Sequence, residues 1–201
     1  TCGIGTQALG LAALGHSVHA TDLSESAVER AKGEALDRGL ELTFGVANIL
    51  ELDETVEGLF DVVLSCDNAM AHMMTAENVD LAVANMAARA RPGGLVLVSI
   101  RDYDALLENK PTIDPPRMST DECGRRLVFQ LWDWKDSVYD MTIFVLRESE
   151  GGWTMAHHET SLRAIHRKEL TGAFEKARLQ KIEWTMPDEE GFYQPIVIGA
   201  K

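Results

Sequence analysis

The stretch "TCGIGTQALG" at residues 1–10 constrains this chain more than any other. Gly3 and Gly5 lack a Cβ, so the backbone can turn tightly and come close to a ligand. Residues 7–14 read as a short helix, whose N-terminus would stand behind the turn. Residues 16–21 (HSVHAT) alternate like a strand that ends at Asp22. An acid at that strand end can accept both hydroxyls of a ribose. Taken alone the glycine turn says little, but spaced before such an acid it points to a nucleotide.

The pattern up to residue 102 alternates strand and helix. Ser24 is a good N-cap for a helix over 25–38, which Gly39 stops. Residues 40–46 read as a strand. FDVVLS at 60–65 and LVLVSI at 95–100 are short, apolar and β-branched, as strands buried on both faces should be. A helix over 77–90 lies between them and ends at "RPGG". This rhythm predicts a parallel sheet with crossover helices. Beyond residue 102, residues 103–124 read as irregular, with Pro111, Pro115 and Pro116. Three β-rich runs follow, at 126–134, 138–147 and 153–163, and predict an antiparallel meander. The α/β pattern then resumes with a helix over 168–176 and strands near 180–185 and 195–199.

The formal charge of −13 disfavours nucleic acid and anionic membranes as partners and suits a small or cationic substrate. No apolar run approaches the length of a membrane span. Cys2, Cys66 and Cys123 are odd in number and widely spaced, which suits a reducing cytoplasm and no metal dependence.

Two nucleotide classes fit the opening turn. Gly3-x-Gly5-x-x-Ala8 matches the relaxed dinucleotide fingerprint, so an NAD-dependent dehydrogenase is one alternative. No tyrosine here has a lysine four positions on, which removes one common hydride-transfer relay. The other class rests on five segments in order. "TCGIGTQ" resembles the tail of the first motif of class I S-adenosylmethionine-dependent methyltransferases, with Thr1 at its first glycine position. "ATDLS" resembles the second-strand acid, and "GVANIL" the segment after strand three, with Asn48 where an Asp usually holds the adenine. "FDVVLSCDNAMAH" is similar to the fourth motif and "ARPGGLVLVS" to the turn before strand five. The resemblance implies a Rossmann-like α/β fold with a mainly parallel seven-stranded sheet and an antiparallel last strand. The meander within 103–165 is then an insertion that covers the substrate in a single domain. S-adenosylmethionine is the implied cofactor, giving S-adenosylhomocysteine. Its implied contacts are Thr1, Cys2, Gly3, Gly5, Thr6, Gln7, Asp22, Leu23, Asn48, Ile49, Asp67 and Asn68. The central strand would precede Thr1, so the natural chain is expected to begin earlier and to carry strand one and a cover for the cofactor.

For the acceptor, "CDNAMAHM", "SIRDYD" and "GFYQP" are similar to small-molecule methyltransferases of the glycine/sarcosine N-methyltransferase type. A natural-product O- or C-methyltransferase remains open, as does a catalytically silent cofactor-binding protein. "DPPR" at 114–117 imitates an adenine-N6 signature but follows the wrong strand. Asp67 and His72 are candidate acid–base residues, because an amine must lose a proton before attack. Asn68, His72, Arg101, Asp102, Tyr103, Trp132 and Tyr193 are candidate substrate contacts. Arg101 could grip a carboxylate through two parallel bonds, or pair with Asp102 or Asp104 instead. Trp132 and Trp134, two apart on one strand, share a face. Tyr193 and Gln194 precede the last strand and could reach the pocket from its far rim. A homodimer is an open option.

Overall fold

The computed structural model describes residues 1–121, 124–187 and 191–201. Cys123 lies outside them. The chain divides into two compact units. One comprises Thr1–Met70, Thr75–Arg101 and Lys168–Lys201; the other Ala71–Met74 and Asp102–Arg167.

In the first unit, helix α1 (Thr6–Ala13) leads to strand β1 (His19–Asp22), helix α2 (Glu25–Asp37) and strand β2 (Thr43–Val46). Ser24 caps α2 by accepting from the Ala27 N–H, and Val28, Ala31 and Ala35 form its buried stripe. A short helix α3 (Leu52–Thr55) precedes β3 (Phe60–Ser65). Helix α4 (Ala76–Arg89), capped by Thr75, carries the sequence to β4 (Ala90–Ser99). Its face of Val79, Ala82, Val83 and Met86 is almost wholly buried. Strands β1 and β2 run parallel, as do β3 and β4. The chain returns through helix α6 (Arg167–Lys176), β9 (Gln180–Thr185) and β10 (Ile196–Ala200). Strand β10 lies antiparallel between β4 and β9. The α/β fold with an antiparallel last strand thus follows the expected pattern. The strands form two separate ladders, β1-β2 and β3-β4-β10-β9. Thr1 joins the ends of β1 and β3: its amino group donates to Thr21 O at 2.5 Å, and its hydroxyl to Ser65 Oγ at 3.0 Å.

Gly199 sets the packing of β10. A Cβ there would stand 2.9 Å from the Phe174 ring and 3.0 Å from Leu179 Cβ. Gly199→Ala is therefore expected to cost about 2 kcal/mol through overpacking. A thermal melt should show this as a fall of about 4–8 °C in Tm.

The second unit corrects the reading of 103–124 as irregular. Tyr103–Asn109 forms helix α5, and Ile113–Asp121 forms strand β5. Asp102 starts the helix by accepting from the Ala105 N–H at 3.3 Å. Pro115 and Pro116 fall within a register shift between Asp114 and Arg117 on an edge strand, where fewer ladder bonds are needed. Strands β6 (Gly124–Lys135), β7 (Val138–Ser149) and β8 (Gly152–Arg163) complete a four-stranded antiparallel sheet. No described helix is long and apolar enough to cross a membrane.

Candidate active site

The glycine loop is built before a ligand arrives. Gly3 and Gly5 both take positive φ, 54° and 90°. A Cβ on Gly3 would meet open space, so the backbone there is accessible. A Cβ on Gly5 would come within 3.1 Å of Ala31 and 3.3 Å of Leu9, so Gly5 also lets α1 approach α2. No side chain caps α1, whose first-turn N–H groups follow the loop directly. Thr6 and Gln7 open that turn.

Asp22 at the end of β1 fixes the loop. Its Oδ2 accepts from the Gly3 N–H at 2.7 Å and its Oδ1 from the Ser24 N–H at 3.0 Å. Each carboxylate oxygen can accept more than one bond, so both remain able to take a ribose hydroxyl. Leu23, beside it, is 69% exposed. Asn48 does something the sequence did not indicate. Its Oδ1 accepts from the Leu50 N–H at 3.1 Å and so caps the short turn Ile49–Glu51. Ile49 is buried, and its carbonyl accepts from Asn85 Nδ2 at 3.0 Å. These residues fit an adenosyl group: an acid for the ribose, an open glycine for close approach, and a polar amide beside a buried isoleucine.

The end of β3 carries the second half of the site. Asp67 and Asn68 take consecutive left-handed conformations, with φ of 59° and 67°. Aspartate and asparagine tolerate this region better than other residues with a Cβ, but two in succession need support. The support comes from β4. Ser99 Oγ accepts from the Asp67 N–H at 2.9 Å, and Ser99 O from the Asn68 N–H at 3.2 Å. Asn68 Oδ1 accepts from the Arg101 N–H at 3.1 Å. Ser99 in turn donates to Gln194 Oε1 at 3.0 Å. Ser65, Asn68, Ser99 and Gln194 are all buried. The Asp67 side chain stays exposed, and its Oδ1 accepts from the Tyr193 hydroxyl. Partial burial and that hydrogen bond push the Tyr193 phenol well above the ordinary tyrosine range. The ring is 62% exposed, so the carboxylate is the firmer of the two causes. Burial likewise raises the thiols of Cys2 and Cys66, which stay protonated and poor nucleophiles at neutral pH.

The first unit therefore brings together Thr1, Cys2, Gly3, Gly5, Asp22, Asp67, Asn68, Arg101 and Tyr193. Ser65, Ser99, Asn85 and Gln194 belong with them, although only Gln194 drew notice in the sequence. A serine closing an apolar strand, as in "LVLVS", was the available signal for Ser99.

The other candidates lie in the second unit. His72 is exposed at the end of the turn Ala69–His72. Asp102 caps α5 and pairs with Arg167 at 2.8 Å, while Asp104 meets Arg167 at 3.1 Å and His166 at 2.6 Å. Arg167 thus carries ion pairs with both Asp102 and Asp104. Tyr103 is buried, with its hydroxyl 3.0 Å from that of Tyr139. Trp132, Trp134 and Tyr139 form one aromatic cluster, with ring centroids 4.5–6.3 Å apart. Tyr103 and Trp132 both pack against Tyr139.

Comparisons agree with this geometry. The methyltransferase domain family matches residues 1–94. Glycine N-methyltransferase of Rattus norvegicus is 34% identical over 118 residues, covering 53% of this chain and 40% of that protein. The 2-heptyl-1-hydroxyquinolin-4(1H)-one methyltransferase of Mycobacteroides abscessus is 31% identical over 136 residues, covering 67% of this chain and 57% of that protein. The chain thus spans less than two thirds of the length of these curated relatives. In fold it is similar to an S-adenosylmethionine-dependent methyltransferase from Clostridium acetobutylicum, with a TM-score of 0.79 at 15% identity, over 99% of this chain and 80% of that one. With the glycine loop, the strand-end acid and the β3-end turn in the order of that family's motifs, residues 1–94 match the methyltransferase domain family, and the chain has the fold of S-adenosylmethionine-dependent methyltransferases.

Proposed function

We propose that the protein transfers a methyl group from S-adenosylmethionine to a small molecule, and that the methylated atom is an amine nitrogen. The observation that carries this reading is the Thr1–Ser65 hydrogen bond, which ties the cofactor loop to the strand leading into Asp67. S-adenosylmethionine, held by the glycine loop, Asp22 and the Asn48–Ile49 turn, supplies an electrophilic methyl group. The exposed Asp67 carboxylate attracts a cationic amine. Its Oδ2, which has no partner among the described residues, can take the amine proton and leave the nitrogen lone pair for attack. Tyr193 donates to Oδ1 and holds the carboxylate in one orientation. Asn68 sits on the same clamped turn, so acceptor and donor groups are held for an in-line transfer. Arg101, at the end of β4, is a further candidate contact.

The glycine N-methyltransferase likeness supports an amine. The hydroxyquinolone methyltransferase likeness favours a hydroxyl as the second reading. To separate them, the protein is incubated with S-adenosylmethionine and, in turn, glycine, 2-aminoethanol or a hydroxyquinolone. Mass spectrometry follows methylated product and S-adenosylhomocysteine. Methylated amine is the expected product. Turnover of the hydroxyquinolone alone would overturn the amine reading, and no turnover of any acceptor would overturn the activity.

A further inference from the structure

The antiparallel sheet β5-β6-β7-β8 is apolar on both of its faces. One face carries Trp132, Tyr139 and Leu162, all buried. The other carries Leu127, Phe129 and Leu131 of β6 with Phe144 and Leu146 of β7. Cross-strand register extends it to both edges: Leu131 pairs with Ile113, Leu127 with Met118, and Leu146 with Met155. No residue of this second face is buried, and Met118 and Met155 are 59% and 62% exposed. A sheet with water on one side normally alternates apolar and polar residues along each strand. A continuous apolar patch left open on a folded chain marks an interaction surface. The two ends of the face differ. At one end Arg125 pairs with Glu148 at 2.7 Å and lies 5.5 Å over the exposed Trp153 ring. At the other is a concavity of about 470 Å³ lined by Asp133, Asp140, Thr142, Glu159, Thr160 and Ser161. Lys135 pairs with Asp140, whereas Asp133 and Glu159 have no ion pair among the described residues.

We propose that this face is the interface of a two-fold homodimer, in which two copies of the sheet pack face to face with the axis running across the strands. The area is sufficient. Four strands of nine to twelve residues cover roughly 600–800 Å² at the usual strand spacing and rise. Each partner in a standard stable interface contributes about 800 Å². The shape fits as well, because a sheet of the same twist is the surface that packs, aligned, on such a face. Charge selects the axis. An axis across the strands sets the acidic concavity of each copy against the Arg125–Trp153 end of the other. An axis along the strands would set the two acidic ends together, and like charges oppose that arrangement. Every contact then occurs twice, as a two-fold interface requires. The proposal is independent of which acceptor is methylated.

Sedimentation velocity on the full chain tests this. Interfaces of this size dissociate in the micromolar range or below, so the wild type should run as two chains at about 20 μM. A single chain at that concentration would mean that something other than a second copy covers the face, and it overturns the proposal. Met118→Glu combined with Met155→Glu places unpaired charge in the apolar centre and should weaken association at least about 100-fold. Both side chains are exposed in the single chain, so its circular dichroism should not change. A dimer that survives both substitutions is built on another surface and also overturns the proposal. The direction of the axis has its own check. Arg125→Glu should weaken association about tenfold, and adding Asp133→Lys and Glu159→Lys to the same chain should restore it, because these charges meet across the axis. Failure to restore association overturns the arrangement with the axis across the strands.

Discussion

Asp22→Ala should weaken binding of S-adenosylhomocysteine by about 100-fold. The carboxylate orients the glycine loop through the Gly3 N–H, and in the proposed reading it also accepts from the ribose hydroxyls. Hydrogen bonds to a charged group contribute about 1.5–3 kcal/mol each. Losing two ribose bonds, partly offset by water entering the gap, leaves a deficit of about 3 kcal/mol, or two powers of ten in affinity. Asp22→Asn should fall between, because one oxygen survives. Calorimetry on the three proteins, with a melt to confirm folding, checks the order. A loss below about fivefold for alanine would mean that Asp22 serves the loop and not the ligand.

Asp67→Asn should lower kcat/KM for an amine by about 100- to 1000-fold while leaving S-adenosylhomocysteine affinity within about threefold. Asparagine adopts the left-handed conformation nearly as well as aspartate, so the Ser99 clamp survives and the loss reports on the charge. Tyr193→Phe should cost less, about tenfold, because it frees the carboxylate without removing it. The pH dependence has a definite sign. The Tyr193 phenol is raised in the folded protein, so its bond to Asp67 is fully present below the ordinary tyrosine value of about 10. It is lost only as pH climbs through the raised value. The wild-type rate should therefore show no tyrosine-linked fall up to about pH 9.5. A decline below that pH which Tyr193→Phe abolishes would contradict the assignment.

The parts of this structure that could be read from the sequence are those fixed by local rules. Ser24 before an amphipathic run predicted the start of α2, and FDVVLS predicted β3 residue for residue. Asp22 stood out because its strand and the preceding turn are neighbours in sequence. The helix α5 and strand β5 were hidden. One helix is only seven residues long, and the other element carries two prolines that tolerate a strand only at a sheet edge. The polar clamp was hidden for a different reason. Ser99 and Gln194 are 95 residues apart, and Tyr193 and Asp67 are 126 apart. No period or spacing connects them, and only the antiparallel return of β10 against β4 brings their ends together. Asn48 shows the limit of reading by position: its place after strand three suggested an adenine contact, and the structure adds a turn cap that its oxygen already serves.

The central claim is that the glycine loop and Asp22 hold an adenosyl methyl donor and not a dinucleotide. The most direct test is a pair of calorimetric titrations of the protein, one with S-adenosylhomocysteine and one with NADH. Saturable one-to-one binding of S-adenosylhomocysteine, with a dissociation constant of about 1–100 μM and no heat from NADH, is the predicted result. Binding of NADH with none of S-adenosylhomocysteine would contradict it.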